Sequence, residues 1–316
     1  MPKYSIIIPV YNRPQEVEEL LSSLVLQTFM DFEVILVEDG STKTSKEIFE
    51  KYSDRLALQY FYKPNSGPGP SRNFGFEKAS GDYFVVFDSD CIIPPHYLET
   101  VEKFVKQTPT DAWGGPDRGG ENFTALQRAM AYTMASVLTT GGIRGGAAHG
   151  FLPRSFNMGM RKEVFFKTGG FQFDRLAEDI EFSYRIREAG FRVNLIPEAY
   201  VFHKRRTNFR QFFQQVAGFG KGRVRVWRAH PGSMRITHWF PSFFLAGVLA
   251  VPVLVWLLFP LGLFVLLAYF LYFILIAIDA WVSTKSMAVS LLSIPSAFIQ
   301  LTGYGSGFLR EMFRRE

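Results

Sequence analysis

The chain has 316 residues, of which 47% are hydrophobic and 16% aromatic, and its formal net charge at pH 7 is +6. This composition is ample for a large core and indicates membrane contact. The single cysteine, Cys91, excludes an internal disulfide framework and a cysteine-rich zinc site.

The first 115 residues alternate between strand and helix patterns. Short β-branched or aromatic runs bounded by turn residues predict strands at 4–9, 33–37, 58–62 and 83–87. Apolar residues at helical spacing predict a helix at 14–27, where Pro14 suits the first turn. This order favours a parallel sheet with right-handed crossovers, whose ligands bind beyond the carboxyl ends of the strands. Asn12, Asp39 and Asp88 lie at such ends.

Two carboxylates one residue apart, Asp88 and Asp90, follow the apolar run at 83–87. Side chains alternate along a strand, so both are expected on the same face. Oxygen ligands of this kind hold Mg²⁺ or Mn²⁺ loosely, which suits a diphosphate leaving group. The alternative is a surface Asp-Ser-Asp turn. Neither G-x-G-x-x-G after the first strand nor G-x-x-x-x-G-K-[ST] occurs, which disfavours dinucleotide oxidoreductases and P-loop NTPases.

Residues 116–235 have a mixed pattern, with predicted helices at 122–138 and 178–189 and a Gly-rich loop at 141–150. The apolar run at 5–10 is too short for a signal peptide and is predicted to be a strand. The soluble part is therefore predicted to stay in the cytoplasm.

A basic segment precedes a long apolar stretch. Residues 199–278 contain no Asp or Glu, and residues 242–278 carry no charge. This stretch predicts two membrane helices of about 20 residues, at 242–259 and 262–282. The positive-inside rule then places the basic segment on the cytoplasmic side. A nucleic-acid patch is the alternative, but no aromatic-interleaved recognition module accompanies it.

The last apolar segment, at 287–309, is rich in Ser and Gly and is interrupted by Pro295. A third span would place the arginines that follow it outside, against the charge rule. An interfacial or re-entrant helix is therefore favoured over a third span.

Taken together, the motifs form an ordered series. They are PVYNR (9–13), VEDGST (37–42), SRNFG (71–75), ASGDY (79–83), DSD (88–90), NMGMR (157–161), GGF (169–171) and EDIE (178–181). This series closely resembles the family-2 glycosyltransferases, which are inverting enzymes, over roughly residues 4–203. The resemblance implies the GT-A fold, a Rossmann-like α/β architecture with a mixed sheet and helices on both faces, here followed by a C-terminal helical transmembrane module.

The resemblance implies a role for most of these motif residues. Asp39 would pair with the base of the nucleotide, and its carboxylate suits an imide N–H such as that of uracil, which cytosine lacks. UDP is favoured over GDP. Asp88 would contact the ribose or assist the metal, Asp90 would bind Mn²⁺ or Mg²⁺, and His203 would be a further ligand. Further residues of the nucleotide pocket would be Pro9, Tyr11, Asn12 and Arg72. Donor or acceptor contacts would come from Asn73, Trp113, Asn157 and Glu178.

Asp179 lies in the first turn of the helix predicted at 178–189, where the helix dipole stabilises a negative charge. Acids favour helix N-termini for this reason alone. An inverting transfer also needs a carboxylate to take the proton of an attacking hydroxyl. By the resemblance, Asp179 is this general base. Enzymes that glycosylate a polyprenyl phosphate commonly lack the Glu-Asp pair, so its presence favours a hydroxyl acceptor.

Processive synthases carry Q-x-x-R-W after the base, and residues 214–223 depart from that pattern. Transfer of a single sugar is therefore favoured. Lys221, Arg223 and Arg225 would contact the donor diphosphate or a lipid pyrophosphate, or only anionic headgroups.

The sequence thus predicts a multi-pass enzyme of the cell membrane that transfers a sugar to a hydroxyl, on a lipid-linked or other saccharide. A cytoplasmic domain (1–235) would have a nucleotide-binding half (1–115) and an acceptor-binding half (116–235), and a membrane module (236–316) would follow with two or three helices. A polyprenyl-phosphate glycosyltransferase is the nearest alternative. A sugar nucleotidyltransferase and a non-catalytic scaffold are less favoured.

Overall fold

The computed structural model describes residues 1–119, 123–140, 151–204 and 206–314. The chain divides into two compact units. The first unit comprises Met1–Gly120 and Ala148–Lys204, and the second comprises Glu121–Ala147 and Arg205–Glu316. The segment that begins at residue 121 therefore belongs with the C-terminal helices rather than with the sheet.

All strands that the structure describes belong to the first unit. They are β1 (Tyr4–Val10), β2 (Phe32–Asp39), β3 (Leu58–Lys63), β4 (Tyr83–Val86), β5 (Cys91–Ile92), β6 (Ala112–Gly114), β7 (Asp117–Arg118), β8 (Met158–Arg161), β9 (Val193–Leu195) and β10 (Val201–His203).

The main sheet has seven strands in the order β3-β2-β1-β4-β8-β6-β9. Strands β1 to β4 run parallel, whereas β8 runs antiparallel to both of its neighbours. A second, three-stranded sheet has the order β5-β10-β7. In it, β10 pairs antiparallel with β5 and sets His203 opposite Cys91. The small sheet thus carries residue 203 to the turn that follows β4.

The helices are numbered along the whole chain. They are α1 (Pro14–Leu24), α2 (Lys46–Tyr52), α3 (Pro68–Lys78), α4 (Tyr97–Gln107), α5 (Ala125–Ala135), α6 (Val137–Thr140), α7 (Lys162–Thr168), α8 (Glu178–Glu188), α9 (Phe209–Ala229), α10 (Phe240–Leu257), α11 (Phe259–Thr284) and α12 (Met287–Met312).

Helices cover both faces of the main sheet. On one face, Leu20 of α1 and Val101 of α4 belong to the same buried cluster as Ile6 of β1. On the other face, Phe76 of α3 and Phe182 of α8 belong to the cluster that includes Ile7. Successive residues of a strand point to opposite faces, so one β-branched run supplies both cores. The predicted mixed sheet with helices on both faces is confirmed.

The regular elements that the structure describes in the second unit are all helices. Helices α10, α11 and α12 are each long and apolar enough to cross a membrane. Helices α9 and α12 pack closely, because a methyl group on Gly307 would lie 2.0 Å from the carbonyl oxygen of Ala217. Segment α5–α6 also packs in this unit, where Gln300 Nε2 donates to the carbonyl oxygen of Thr133 at 3.0 Å.

Most predicted elements are present, with shifted ends. Strand β4 ends at Val86, one residue earlier than predicted, and the helix predicted at 122–138 is α5 followed by the short α6. The Gly-rich loop at 141–150 lies outside the described residues. The domain boundary at residue 235 and the number of membrane spans stay predictions.

Candidate active site

The site begins where the parallel strands end. Just past β1, Asn12 adopts a φ of 55°, and its Oδ1 accepts hydrogen bonds from the backbone N–H groups of Thr42 and Lys43, each at 2.9 Å. The loop after β2 is thereby tied to the loop after β1. Tyr11, by contrast, is 51% exposed, and Pro9 is partly buried. Asn12 therefore holds these two loops together, while the ring of Tyr11 is exposed enough to contact a ligand.

Asp39 is the last residue of β2, and its carboxylate is buried. Its Oδ1 accepts from Lys63 Nζ at 2.7 Å and from the Ser66 N–H at 2.8 Å, and its Oδ2 accepts from the Gly67 N–H at 2.9 Å. Burial acts to raise the pKa of Asp39, but these hydrogen bonds outweigh it and the pKa is lowered. Ser71 adds a further hydrogen bond that also lowers this pKa.

Asp88 and Asp90 lie in a turn rather than in a strand. Because β4 ends at Val86, the predicted alternation of side chains does not extend to these residues. The backbone N–H of Cys91 donates to the carbonyl oxygen of Asp88 at 3.1 Å and closes the turn. As a result, the two carboxylates meet different partners. Asp88 Oδ1 accepts from Arg72 Nη2 at 2.7 Å, whereas Asp90 pairs with Arg13.

Asp90 also meets His203. His203 Nε2 lies 3.1 Å from Asp90 Oδ1, and its Nδ1 lies 3.9 Å from a carboxylate oxygen of Asp117. Burial acts to raise the pKa of Asp90, but His203 and Arg13 outweigh it and hold the pKa well below its usual range. For His203 burial acts to lower the pKa, and Asp117 and Asp90 instead raise it to about 9. A cation bound by His203 would have to displace a proton from the imidazole ring.

The structure brings Asp90, Cys91 and His203 together as a possible metal-binding group, with one ligand atom of each within 4.8 Å of the others. Asp88, which was predicted to join this group, is not one of these three residues, and Arg72 pairs with its carboxylate. Its role as a metal ligand stays a prediction. Burial, together with the charges of Asp88 and Asp90, raises the pKa of the Cys91 thiol. A protonated thiol is a poor metal ligand. Asp90 and His203 are therefore the stronger candidates to hold a metal.

Arg72 joins the turn after β4 to the start of α8. Its side chain is buried, and while Nη2 donates to Asp88, Nη1 donates to Glu178 Oε1 at 2.8 Å. Glu178 is the first residue of α8 and is itself buried. Burial raises the pKa of Glu178 to about 7, with Arg72 opposing the shift and the charge of Asp179 adding to it. A guanidinium can serve two carboxylates at once because its N–H groups form a rigid fork.

Asp179 is the second residue of α8 and is partly buried. Its Oδ1 accepts from the Ile180 N–H at 2.8 Å, and its Oδ2 lies 3.4 Å from the Ser155 N–H and 3.9 Å from Arg154 Nη1. The preceding residue, Ala177, adopts a φ of 58°, so a sharp change of chain direction opens the helix. Asp179 is thus next to the Glu178 that Arg72 holds.

Two predicted contact residues lie inside the fold instead of facing a ligand. Trp113 is fully buried between Tyr4 and Tyr83. Asn157 is also fully buried, where it accepts from the Tyr97 hydroxyl at 2.6 Å. Both predictions are corrected, because neither side chain has surface for a donor or an acceptor.

Asn73 joins two elements of the first unit. Its amide exchanges two hydrogen bonds of 2.8 Å with the backbone of Phe171, which joins α3 to the loop before α8. Asn73 is partly buried, and its predicted contact with donor or acceptor stays a prediction.

The remaining predicted contacts belong to the second unit. Arg223 is buried and donates to Ser233 Oγ, and Arg225 Nε donates to Glu311 Oε1 at 3.1 Å. Lys221 is partly buried in the same helix. Contact of these three residues with a diphosphate stays a prediction.

The sequence did not single out Arg13, Lys63 and Asp117. Arg13 lies in the PVYNR motif, and Lys63 ends β3 at the same edge as Asp39, so their positions were a usable signal. Asp117 had no such signal, because the two-residue strand β7 is too short to recognise as a pattern.

Comparison with known proteins identifies the family. Residues 5–169 match the profile of "Glycosyl transferase family 2", which is more than half of the chain. This chain belongs to glycosyl transferase family 2. The region matched contains the loops after β1, β2 and β4, and the Glu178–Asp179 pair follows it.

Relatives within the family differ in length. Glycosyltransferase AglE of Haloferax volcanii is 26% identical over 264 residues, which cover 80% of this chain and 83% of AglE. Other relatives, all uncharacterized glycosyltransferases, are 36–40% identical over 105 residues, and the match spans only 15–17% of their length.

Two solved family-like structures share the fold. Mannosyltransferase PcManGT from Pyrobaculum calidifontis, in complex with GDP-Man and Mn²⁺, has a TM-score of 0.64 at 16% identity and covers all of this chain and 88% of that one. TarS of Staphylococcus aureus, in complex with UDP-GlcNAc, has a TM-score of 0.51 at 23% identity, covering 70% of this chain and 66% of that one. The predicted GT-A fold with C-terminal apolar helices is confirmed.

Proposed function

We propose that this family 2 protein is a metal-dependent, inverting glycosyltransferase. It transfers one sugar from a nucleotide-diphosphate donor to a hydroxyl acceptor, on a lipid-linked saccharide at the cytoplasmic face of the cell membrane. Residues 1–115 bind the nucleotide, residues 116–235 bind the acceptor, and residues 236–316 hold the enzyme in the membrane.

The observation that carries this proposal is the bridge made by Arg72. One buried guanidinium holds Asp88 at 2.7 Å and Glu178 at 2.8 Å. The acidic turn and the start of α8 are therefore neighbours. A displacement on a sugar carbon needs an acid that assists the leaving group and a base that activates the attacking hydroxyl near one cleft. Asp90 in the turn and Asp179 on α8, each close in sequence to one of the bridged acids, would supply these two roles.

Asp39 supports a uracil nucleotide as the donor. Lys63 and Ser66 occupy both acceptor positions of Oδ1, and Gly67 occupies one position of Oδ2. Ser71 also hydrogen-bonds this carboxylate. The proposed contact is with the one N3–H donor of uracil, which a single carboxylate oxygen can accept. Guanine presents two neighbouring donors and would need both oxygens. UDP is therefore the nucleotide proposed, although TarS and PcManGT were solved with UDP-GlcNAc and GDP-Man respectively.

Asp90 and His203 would hold the cation. Their donor atoms converge within 3.1 Å, and a carboxylate with an imidazole is a ligand pair that suits Mn²⁺ better than Mg²⁺. When bound, such a cation neutralises the charge that develops on the departing diphosphate. Arg13 and Arg72, which pair with Asp90 and Asp88, keep further positive charge at this edge.

Asp179 would be the general base. Among the described residues, the contacts of its Oδ2 are long, at 3.4 Å to the Ser155 N–H and 3.9 Å to Arg154 Nη1. That oxygen is available to accept a proton, while the bond from the Ile180 N–H fixes the orientation of the carboxylate. Glu178 would act as a positioning residue, because its oxygen faces Arg72 instead.

The test is a donor and acceptor assay of purified full-length protein in detergent or lipid. The melting temperature of the protein is measured with Mn²⁺ and each of a panel of nucleotide sugars. We expect only the true donor to raise it, since specific binding stabilises the folded state. Removal of the cation with EDTA should abolish transfer, and Mn²⁺ should restore it.

The decisive variant is Asp179→Asn. It should reduce transfer by at least a hundredfold, as expected for loss of a general base, while donor binding is retained. Asp174→Asn is the matched control, because Asp174 is exposed in the loop before α8. Full activity of Asp179→Asn would remove Asp179 from the mechanism. A sugar monophosphate lipid as the product would assign the polyprenyl-phosphate reaction instead.

A further inference from the structure

Helix α12 crosses the base of the α10–α11 pair instead of running along it. Near its start, Ser290 Oγ donates to the carbonyl oxygen of Ala277 in α11 at 2.6 Å. Midway, the ring of Phe298 lies 6.4 Å from the rings of both Phe273 and Phe244. Near its end, a methyl group on Gly305 would lie 2.4 Å from the carbonyl oxygen of Pro241.

These contacts fix the direction of α12. From residue 290 to residue 305 the helix advances about 22 Å. Over this length of α12, the contacting residue of α11 changes only from residue 277 to residue 273. The contacting residue of α10 changes only from residue 244 to residue 241. Helices that run side by side across a membrane would instead meet at partners about 15 residues apart. The axis of α12 therefore lies across the pair at the end where α10 begins.

The opposite end of the pair is where α10 turns into α11. There, a methyl group on Gly262 would lie 2.3 Å from the backbone nitrogen of Val255, so the two helices are in close contact. Trp256 is 83% exposed, and Leu257, Leu258 and Phe259 are also exposed. Each leg from this turn to the base is about 27 Å long, close to the thickness of a bilayer core.

Helix α9 lies beside the second half of α12. Gly303 packs against Val216, Gly307 against Ala217, and Arg225 Nε donates to Glu311 Oε1 at 3.1 Å. From Arg206 to Arg314 the sequence has ten Lys and Arg residues but only two acids, and five of those basic residues are in α9. An upright α12 would carry this charged helix into the bilayer core, where each basic residue costs about 2.5–3.5 kcal/mol.

Polar groups also gather at the base of the pair. The Tyr132 hydroxyl donates to Asp279 Oδ2 at 2.5 Å, and Ser136 Oγ lies 3.4 Å from the same oxygen. Along α12, Ser293 and Gln300 are buried toward the protein, whereas Met287, Leu291 and Phe298 are exposed. The exposed residues are spaced at helical periodicity and form one apolar face. A helix with this division of faces lies in a membrane surface.

We propose that α12 lies in the cytoplasmic interface of the membrane and that only α10 and α11 cross it. The apolar face of α12 contacts the acyl chains of the bilayer, and the basic residues of α9 contact anionic headgroups. This assignment rests on the proposed membrane attachment of the enzyme, and it adds that both ends of α12 are on the side of α9.

The test uses single-cysteine labelling of the full-length protein in sealed membrane vesicles of known orientation. A membrane-impermeant maleimide is applied to Gln214→Cys in α9, Ser283→Cys before α12, Arg314→Cys after α12 and Leu258→Cys at the α10–α11 turn. Phe313→Cys is a second variant for the position after α12, and Trp256→Cys is a second variant for the α10–α11 turn. The wild type is the control, because its one cysteine, Cys91, is buried.

We expect the Gln214, Ser283 and Arg314 variants to be labelled from one side, and the Leu258 variant from the other. If the Arg314 and Phe313 variants are labelled from the same side as the Leu258 variant, the chain has three spans. This result would overturn the proposal but leave membrane attachment intact. Labelling of every variant from the side of Gln214 would overturn both the proposal and the membrane hairpin. Sugar transfer by the wild type is assayed separately, so failure of the catalytic proposal is distinguishable from either result.

Discussion

Arg72 is the residue on which the candidate site depends most. It is buried, which acts to lower its pKa, but Asp88 and Glu178 outweigh this and raise the pKa. Its guanidinium carbon lies 5.2 Å from the centroid of the Phe171 ring. A buried carboxylate that loses its cationic partner destabilises the fold, because the free energy spent on removing it from water is no longer offset. The two acids of the bridge therefore depend on a fork-shaped cation rather than on positive charge alone.

The prediction at this scale is the substitution Arg72→Lys. An ammonium group cannot serve both carboxylates in the same geometry. We expect a loss of about 3 kcal/mol in the free energy of unfolding and at least a tenfold loss of transfer activity. Melting temperature and product formation measure the two effects.

The matched control is Arg192→Lys, in an exposed pair with Asp111 whose Nε–Oδ2 distance is 3.2 Å. It should change stability by less than about 1 kcal/mol. Equal effects of the two substitutions would contradict a special role for the bridge.

Residue types at the strand ends were predictable, but their pairing was not. The sequence placed Asp39, Asp88 and Asp90 at one edge because parallel strands end together. It could not show that β4 ends at Val86, so that Asp88 faces Arg72 and Asp90 faces Arg13. Such pairings depend on residues far apart in the chain.

At the scale of elements, the connection between α3 and the loop before α8 places the Glu-Asp pair. Asn73 of α3 exchanges two hydrogen bonds with Phe171. Gly170, with a φ of 69°, allows this close approach, since a methyl group there would lie 2.4 Å from Asn73 Oδ1. Its neighbour Gly169 has a φ of 74° and no described heavy atom within 4 Å of such a methyl group.

These two glycines give a matched pair of substitutions. Gly169→Ala should cost about 1–2 kcal/mol, because only the left-handed backbone conformation is penalised. Gly170→Ala should cost more, since it also displaces Asn73. We expect a melting temperature several degrees lower for Gly170→Ala than for Gly169→Ala, measured by thermal unfolding in detergent. Equal melting temperatures would mean that the Asn73 connection adds no stability.

Long elements were predicted best. The strands at the centre of the sheet are continuous apolar runs, and α8 was predicted within a residue of its ends, because burial and helical spacing are local signals. The short strands β7 and β10 gave no such signal, although β10 delivers His203 to Asp90. The site was therefore less predictable than the fold that carries it.

At the scale of the whole molecule, the proposed membrane attachment depends on α10 and α11, whose sequences carry a single charged residue, Asp279. Leu249, near the middle of α10, is 68% exposed, and Ile236, just before α10, is 85% exposed. Both side chains are thus exposed, Ile236 at the base of the helix pair and Leu249 about halfway along α10.

We expect Leu249→Arg to reduce the fraction of protein that stays in membranes after alkaline extraction, because an arginine at the centre of a membrane helix costs about 2.5–3.5 kcal/mol. Ile236→Arg is the control and should be retained like the wild type, since it would lie at the headgroup level. Equal retention of both variants would contradict a spanning α10.

The pairing of Arg13 with Asp90 has a consequence for the order of ligand binding. An incoming divalent ion and the guanidinium of Arg13 compete for the same carboxylate, so the ion alone gains little. A diphosphate that arrives with the ion gives the freed guanidinium a new counter-charge. Ion and nucleotide should therefore bind cooperatively, each strengthening the hold of the protein on the other.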